Sequence, residues 1–221
     1  MTFQNDRTGP SAATFRWCPI RSLAPRHRAR ILTHLQALDE ADRHLRFGYA
    51  ASDSHIGRYV DQLDFDRDEV YGVFNRRLEL VAMAHLAYLG QDTRHPTSAE
   101  FGVSVLPKLR GRGIGARLFE RAALHARNQG IDTIIIHALS ENRPMLHIVR
   151  EAGALIETQG PESTARLKLP PEDVGSQLQE ILEIQAAAFD YGIKVQARQV
   201  GHLLDALRPP AGSGPQDRRS D

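Results

Sequence analysis

The chain has 221 residues, 41% of them hydrophobic and 25% charged, with a formal net charge of +1. That composition suits a soluble globular protein, and the small net charge excludes a global electrostatic footprint for nucleic acid. One cysteine, Cys18, excludes an internal disulfide and fits a reducing compartment. No stretch reaches the about 18 apolar residues of a membrane span, and residues 1–17 hold no run of signal-peptide length, so a cytoplasmic protein without a membrane role is expected. No Cys/His spacing suggests a metal site.

In chain order, residues 1–13 are polar and expected to be loose. Residues 14–20 read as a short strand ended by Pro19. Helical spacing follows at Ile31, Leu32, Leu35 and Leu38, and again at Ile56, Tyr59, Val60 and Leu63. The period then becomes two. Residues 69–74 and 79–89 read as a hairpin across the turn at 75–77, and 90–98 as a loop. A strand is expected at 99–106, a basic turn at 107–112, and a helix through Leu118, Ala122 and His125 that Gly130 closes. Residues 133–139 read as a buried strand. Ser140 or Asn142 can cap the next helix, which Gly153 ends. Weaker strands are expected at 155–158 and 164–169. Beyond Pro170-Pro171, Val174, Leu178, Ile181, Leu182, Ala188 and Phe189 fall on one helical face, and residues 200–207 suggest a second helix. The tail at 209–221 is expected to be disordered.

The informative segment is V-S-V-L-P-K-L-R-G-R-G-I-G-A-R-L, residues 103–118. A strand enters a glycine-rich turn that opens a helix. Gly111, Gly113 and Gly115 remove side chains where backbone must approach a ligand closely. The first N–H groups of the helix, and its dipole, favour an anion. Lys108, Arg110, Arg112 and Arg117 add positive charge, so the segment reads as a pyrophosphate site. Gly111-x-Gly113-x-x-Ala116 also satisfies a dinucleotide fingerprint, but the next strand ends Ile136-His137-Ala138 without the required carboxylate. A Walker lysine is absent as well.

Read instead as Arg110-x-x-Gly113-x-Gly115, the turn resembles the signature of the GNAT superfamily of acyl-CoA N-acyltransferases. Ala99-Glu100-Phe101-Gly102-Val103, Leu139-Ser140-Glu141-Asn142-x-x-Met145 and Arg43-His44-Leu45-Arg46-Phe47 resemble segments of bacterial protein-lysine acetyltransferases. The resemblance spans about residues 15–169. It implies an α/β (α+β) GNAT fold: a mixed, mostly antiparallel sheet with a splayed parallel strand pair, flanked by helices. The expected organisation is a loose N-terminus at 1–13, an acyltransferase domain at 14–170, a helical extension at 171–208 and a disordered tail at 209–221.

The resemblance implies acetyl-CoA as co-substrate, bound by Val103, Ser104 and Val105 at the acyl-pantetheine end. Arg110, Gly111, Arg112, Gly113, Ile114, Gly115 and Ala116 would wrap the pyrophosphate. Asn142 stands at the pantetheine asparagine, and is equally a helix cap. Partners are then an acyl-CoA and an amine acceptor, with a homodimer through the C-terminal helices as one option beside intramolecular packing. Glu100 matches the glutamate the lysine-acetyltransferase group uses as base. Alternation puts it with Gly102 and Ser104 on one strand face, where partial burial would raise its pKa; a strand-end carboxylate in solvent or paired with an arginine is the alternative. His137 is the second candidate base and His85 the third. The usual tyrosine acid falls on Val149, and His147, two residues away, is rotated off that slot by about 200°. The competing function is an acyl-CoA-binding sensor or assembly domain without catalysis.

Overall fold

A computed structural model describes residues 19–90 and 97–171, together with residues 175, 177, 179, 180, 182–184, 187, 190 and 191. Cys18, the strand expectation at 14–18, most of the expected loop at 90–98, the second C-terminal helix and the tail lie outside the described residues.

Among the described residues, seven strands form one sheet: β1 (Ile20–Ser22), β2 (Glu69–Phe74), β3 (Leu80–Leu89), β4 (Ser98–Val105), β5 (Thr133–Leu139), β6 (Leu155–Gln159) and β7 (Glu162–Lys168). Their order is β1-β2-β3-β4-β5-β7-β6, antiparallel throughout except for β4 beside β5. The helices are α1 (Arg28–Gln36), α2 (Glu40–Phe47), α3 (Asp53–Gln62), α4 (Ile114–Asn128) and α5 (Arg143–Glu151). Within the described residues, β1 follows Pro19 and pairs Ile20 with Val73.

The sheet has a helical layer on each face, and side-chain alternation in β3 serves both. Ala82, Ala84 and Leu86 join the core under α4, with Phe101, Leu118, Phe119 and Ile134. Leu80 and Met83 join the core under α1 and α3, with Ile31, Leu35, Ile56 and Val60. Burial on both sides explains why β3 reads as a nearly unbroken apolar run interrupted by His85.

Helix α2 has no sequence expectation to match. Its residues EADRHLRF offer too few apolar positions for a helical stripe. Its ends define it instead: the Asp39 carboxylate accepts from the Asp42 N–H at 2.8 Å, and Gly48 stops it at φ 78°. Arg43 ties α2 to its surroundings by donating to the carbonyls of Leu38, Ala51 and Gln36.

The C-terminal residues described between 175 and 191 are helical, and Glu180 and Tyr191 among them contact the sheet domain. The Glu180 carboxylate accepts from His125 Nδ1 at 2.6 Å and Asn128 Nδ2 at 2.5 Å, with Arg121 at 3.2 Å. Tyr191 lies against Phe74, accepts from Arg30, and has the Arg21 guanidinium 3.6 Å from its ring centre. Ala187 is buried, but Leu182 is 58% exposed, so the face expected from helical spacing is not uniformly covered.

Candidate active site

Strands β4 and β5 pair over only three residues each: Ser98 with Thr133, Ala99 with Ile134 and Glu100 with Ile135. Beyond Glu100 and Ile135 they separate. The opposite edge of β4 stays bound to β3, and the Leu106 N–H donates to the Val81 carbonyl at 3.0 Å. That bond fixes the phase of the antiparallel ladder. The peptide groups of Ser104 and Gly102 face β3, whereas those of Val103 and Val105 turn away from it, into the opening.

The glycine turn lies at the end of this opening. A short 3-10 turn at Pro107–Leu109 leads to Arg110, then Gly111 at φ 68° and Gly113 at φ 73°. Both are left-handed backbone that favours glycine, and nothing lies within 4 Å of where a side chain would begin. Gly113 is the N-cap of α4, and no side chain caps it. The Arg117 N–H makes the first helical bond, to Gly113, so the preceding N–H groups are left facing outward. Gly115 serves packing: a Cβ there would lie 3.2 Å from Ile148 of α5. Ile114 is buried beneath the turn, Ala116 is half-buried and Arg112 exposed. These residues therefore form an open cradle of backbone donors, which suits a pyrophosphate.

Arg110 does not extend over that cradle. Its guanidinium pairs with the Asp42 carboxylate of α2, and its Nε donates to the Val105 carbonyl at 3.1 Å. Asn142 is the N-cap of α5, accepting from the Met145 N–H at 3.2 Å, and its Nδ2 donates to the Leu45 carbonyl of α2 at 3.4 Å. Two residues expected at the cofactor thus also fasten α2.

The face of β4 that carries Glu100, Gly102 and Ser104 turns toward α1, α2 and α3. The Glu100 side chain is exposed, the solvent-facing one of the two placements its strand position allowed. His137 emerges on the same face of β5, also exposed, with its Nδ1 3.3 Å from the Thr164 hydroxyl. Ser104 is buried, with its hydroxyl 2.8 Å from His34 Nε2. The Leu80 carbonyl lies 3.1 Å from His34 Nδ1 and can only accept, so Nδ1 carries the proton and Nε2 accepts from Ser104. Burial holds the His34 imidazole neutral, its pKa lowered to about 4.

Gly102 has a separate reason to lack a side chain. The Arg46 guanidinium lies directly on it, so a Cβ would fall 2.6 Å from its nearest nitrogen. Arg46 donates to the Tyr59 hydroxyl at 3.1 Å and packs over the rings of Phe47 and Tyr59. Tyr59 Oη is 2.9 Å from His85 Nδ1, and His85 Nε2 is 3.1 Å from an Asp68 carboxylate oxygen. His85 stands opposite Gly102 in the β3–β4 register. Burial pushes the Tyr59 phenol up, against the opposing charge of Arg46.

His34, Asp42, Tyr59 and Asp68 carried no expectation as site residues. The available signals were His85, the one imidazole within a strand otherwise apolar but for Tyr88, and Arg46 in the Arg-Phe segment. Val149 is fully buried, and His147 is exposed beside Glu151, as the helical rotation requires. Among the described residues there is no cluster suited to a metal ion, and no helix is long and apolar enough to cross a membrane.

The acetyltransferase (GNAT) family model matches residues 35–154, more than half of the chain. No curated protein sequence matches the chain. Among solved structures, the fold is similar to the GNAT domain of S. lividans PAT, with a TM-score of 0.59 and 19% identity over 69% of this chain and 90% of that one. It is similar to yncA from Salmonella typhimurium, solved with its cofactor acetyl-CoA, at 0.53 and 14% over 72% and 97%. A cAMP-binding acyltransferase from Mycobacterium smegmatis matches at 0.51 and 19%, over 79% of this chain but 54% of that longer one. At these identities the likeness establishes the shared fold, and the family match supplies the membership: the chain belongs to the GNAT family of acetyltransferases.

Proposed function

We propose that the chain moves an acetyl group from acetyl-CoA to a primary amine, on a protein lysine or a small molecule, by direct attack with both substrates bound. The observation that carries this reading is the separation of β4 from β5 beyond Glu100, with the peptide groups of Val103 and Val105 turned into the opening. Of the expected Val103, Ser104 and Val105, the first and last supply the backbone that lines the acyl-pantetheine arm, and Ser104 holds the strand to β3 between them. Gly111 to Ala116 hold the pyrophosphate on backbone N–H groups, with Lys108 and Arg112 adding charge. Arg110 shapes the turn through Asp42 and Val105, and Asn142 borders the pantetheine while capping α5.

Glu100 is the base for the acceptor ammonium. It is exposed at the vertex where the strands part, where an incoming amine and an acyl group in the opening can meet. His137, on the same face of the partner strand, is the second candidate. A backbone N–H near Val105 stabilises the oxygen of the attacked carbonyl. No covalent enzyme intermediate is required. Residues 14–170 form the acyltransferase unit. The extension from 171 packs on it through Glu180 and Tyr191, with a homodimer contact as the competing role.

One observation favours a second reading, an acyl-CoA sensor without catalysis: Val149 fills the slot of the usual acid. A titration with CoA, followed by an assay of thiol release from acetyl-CoA with a panel of lysine peptides, polyamines and amino acids, separates the two. CoA binding with amine-dependent thiol release is expected. Binding with no release on any amine would establish the sensor, and no binding at all would remove both readings.

A further inference from the structure

We propose that Tyr59, His85 and Asp68 form a second acid–base path beside Glu100, in which Tyr59 takes a proton from the acceptor nitrogen and passes its own to His85. The inference rests on the acyl-transfer reading above and adds to it.

Proton stoichiometry creates the need. An ammonium carries three protons and the amide product keeps one, so two must leave the nitrogen. Glu100 can hold only one of them at a time. The position that would otherwise offer a tyrosine is Val149, buried and unable to exchange a proton.

The hydrogen bonds of the chain run in one direction only. Arg46 can donate but never accept, so its bond to Tyr59 Oη uses a phenol lone pair. The Asp68 carboxylate can only accept, so His85 Nε2 carries a proton and donates it there. In the neutral imidazole Nδ1 is then an acceptor, and the phenol donates its proton to it. Asp68 is itself held in place, accepting from the Tyr88 N–H at 3.2 Å and lying 3.8 Å from the Arg67 guanidinium. The remaining lone pair of Tyr59 Oη is the acceptor for the substrate.

The transfer balances. An N–H proton of the attacking nitrogen bonds to Tyr59 Oη as the phenol O–H breaks and its proton bonds to His85 Nδ1. The resulting imidazolium keeps its Nε2 proton on the Asp68 carboxylate. No tyrosinate forms, in keeping with a phenol whose ionisation burial disfavours. The imidazolium later returns its proton to water through Tyr59, and Glu100 returns the other proton to the departing thiolate. Arg46, Glu100, Asp68 and Arg67 are the charged groups facing the path, and Arg46 opposes a second positive charge on the nitrogen. Tyr59 is the catalytic member; His85 and Asp68 act through it, as positioning residues.

The test uses the full chain, acetyl-CoA and whichever amine of the panel turns over fastest. Tyr59→Phe and His85→Asn are each expected to lower kcat about tenfold to a hundredfold, with the KM for acetyl-CoA unchanged. The Tyr59→Phe/His85→Asn double variant is expected to be no slower than either, because members of one relay fail as a unit. Both singles should also lose the same ionisation from the pH–rate profile. Multiplied losses in the double variant, or an unchanged profile, would overturn the relay while leaving acyl transfer standing. Nitrogen-15 NMR of His85 in the wild-type protein provides a test that no misfolded variant can obscure. The proton is expected on Nε2, and a proton on Nδ1 would sink the relay. A wild type inert on every amine would overturn the relay and the acyl-transfer reading together.

Discussion

The two faces of β4 carry opposite chemistry on one strand. Ala99 and Phe101 point into the core beneath α4, where Phe101 meets Phe119 edge-on at 5.0 Å. Glu100, Gly102 and Ser104 point to the other side, toward a carboxylate in solvent, an arginine on a glycine and a histidine on a serine. The apolar face fixes where the strand lies. The polar face is held as well, by Arg46 on Gly102 and His34 on Ser104, and only Glu100 is left in solvent.

Substituting neighbouring residues should separate the two roles most sharply. Phe101→Ala leaves a cavity in a closed core and is expected to cost about 3–5 kcal/mol, read as a fall in the denaturant midpoint. Glu100→Gln is expected to leave that midpoint within about 0.5 kcal/mol, since the side chain is exposed. It should nevertheless lower amine-dependent thiol release by about a hundredfold to ten-thousandfold. A Glu100→Gln protein that keeps full turnover would transfer the base to His137.

The next largest effect is a pH dependence at the buried end of the polar face. His34 is 2% exposed, and burial lowers its pKa from 6.5 to about 4. The unfolded chain binds this proton below pH 6.5 and the folded chain resists it. Stability is therefore present above 6.5, declines as pH falls toward 4, and levels once the folded state is protonated too. At about 1.4 kcal/mol per pH unit, the interval corresponds to roughly 3 kcal/mol. His34→Gln should flatten this part of the stability profile, measured by urea unfolding at several pH values. An unaltered slope would show that other groups dominate it.

The contrast between the faces also accounts for what the sequence discloses. The glycine turn, the strand before it and Asn142 are local patterns, each confined to a few consecutive residues, and the strands and longer helices obey simple periods. The face proposed for acid–base work is not local. Arg46 comes from α2, Tyr59 from α3, Asp68 from the loop before β2 and His85 from β3. No spacing rule joins residues brought together by helices packing over a sheet. Helix α2 was itself illegible, because it is held by a cap, a glycine stop and the side-chain bonds of Arg43 rather than by an apolar stripe.

Gly102 offers a smaller perturbation aimed at the polar face alone. In Gly102→Ala the new methyl group meets the far end of a flexible arginine, so the protein can yield by moving Arg46. Alanine also lowers the entropy of the unfolded strand, and stability should change by less than about 1 kcal/mol. Displaced Arg46 would release Tyr59, so kcat is expected to fall about tenfold at unchanged KM for acetyl-CoA. An unchanged kcat would mean that the position of Arg46 on the strand has no bearing on turnover.

The smallest expected effect lies at the edge between the faces, where Asn142 has two jobs. Its Oδ1 caps α5, and its Nδ2 reaches Leu45. Asn142→Ala removes both functions and should cost about 1 kcal/mol, typical of a lost cap. Asn142→Ser retains a capping oxygen but not the amide, so its melting temperature should stay close to wild type. If the amide also borders the pantetheine, the serine variant will bind CoA several-fold more weakly by titration. If it binds CoA as tightly as the wild type, Asn142 is a cap alone, and the pantetheine is held by the backbone of β4.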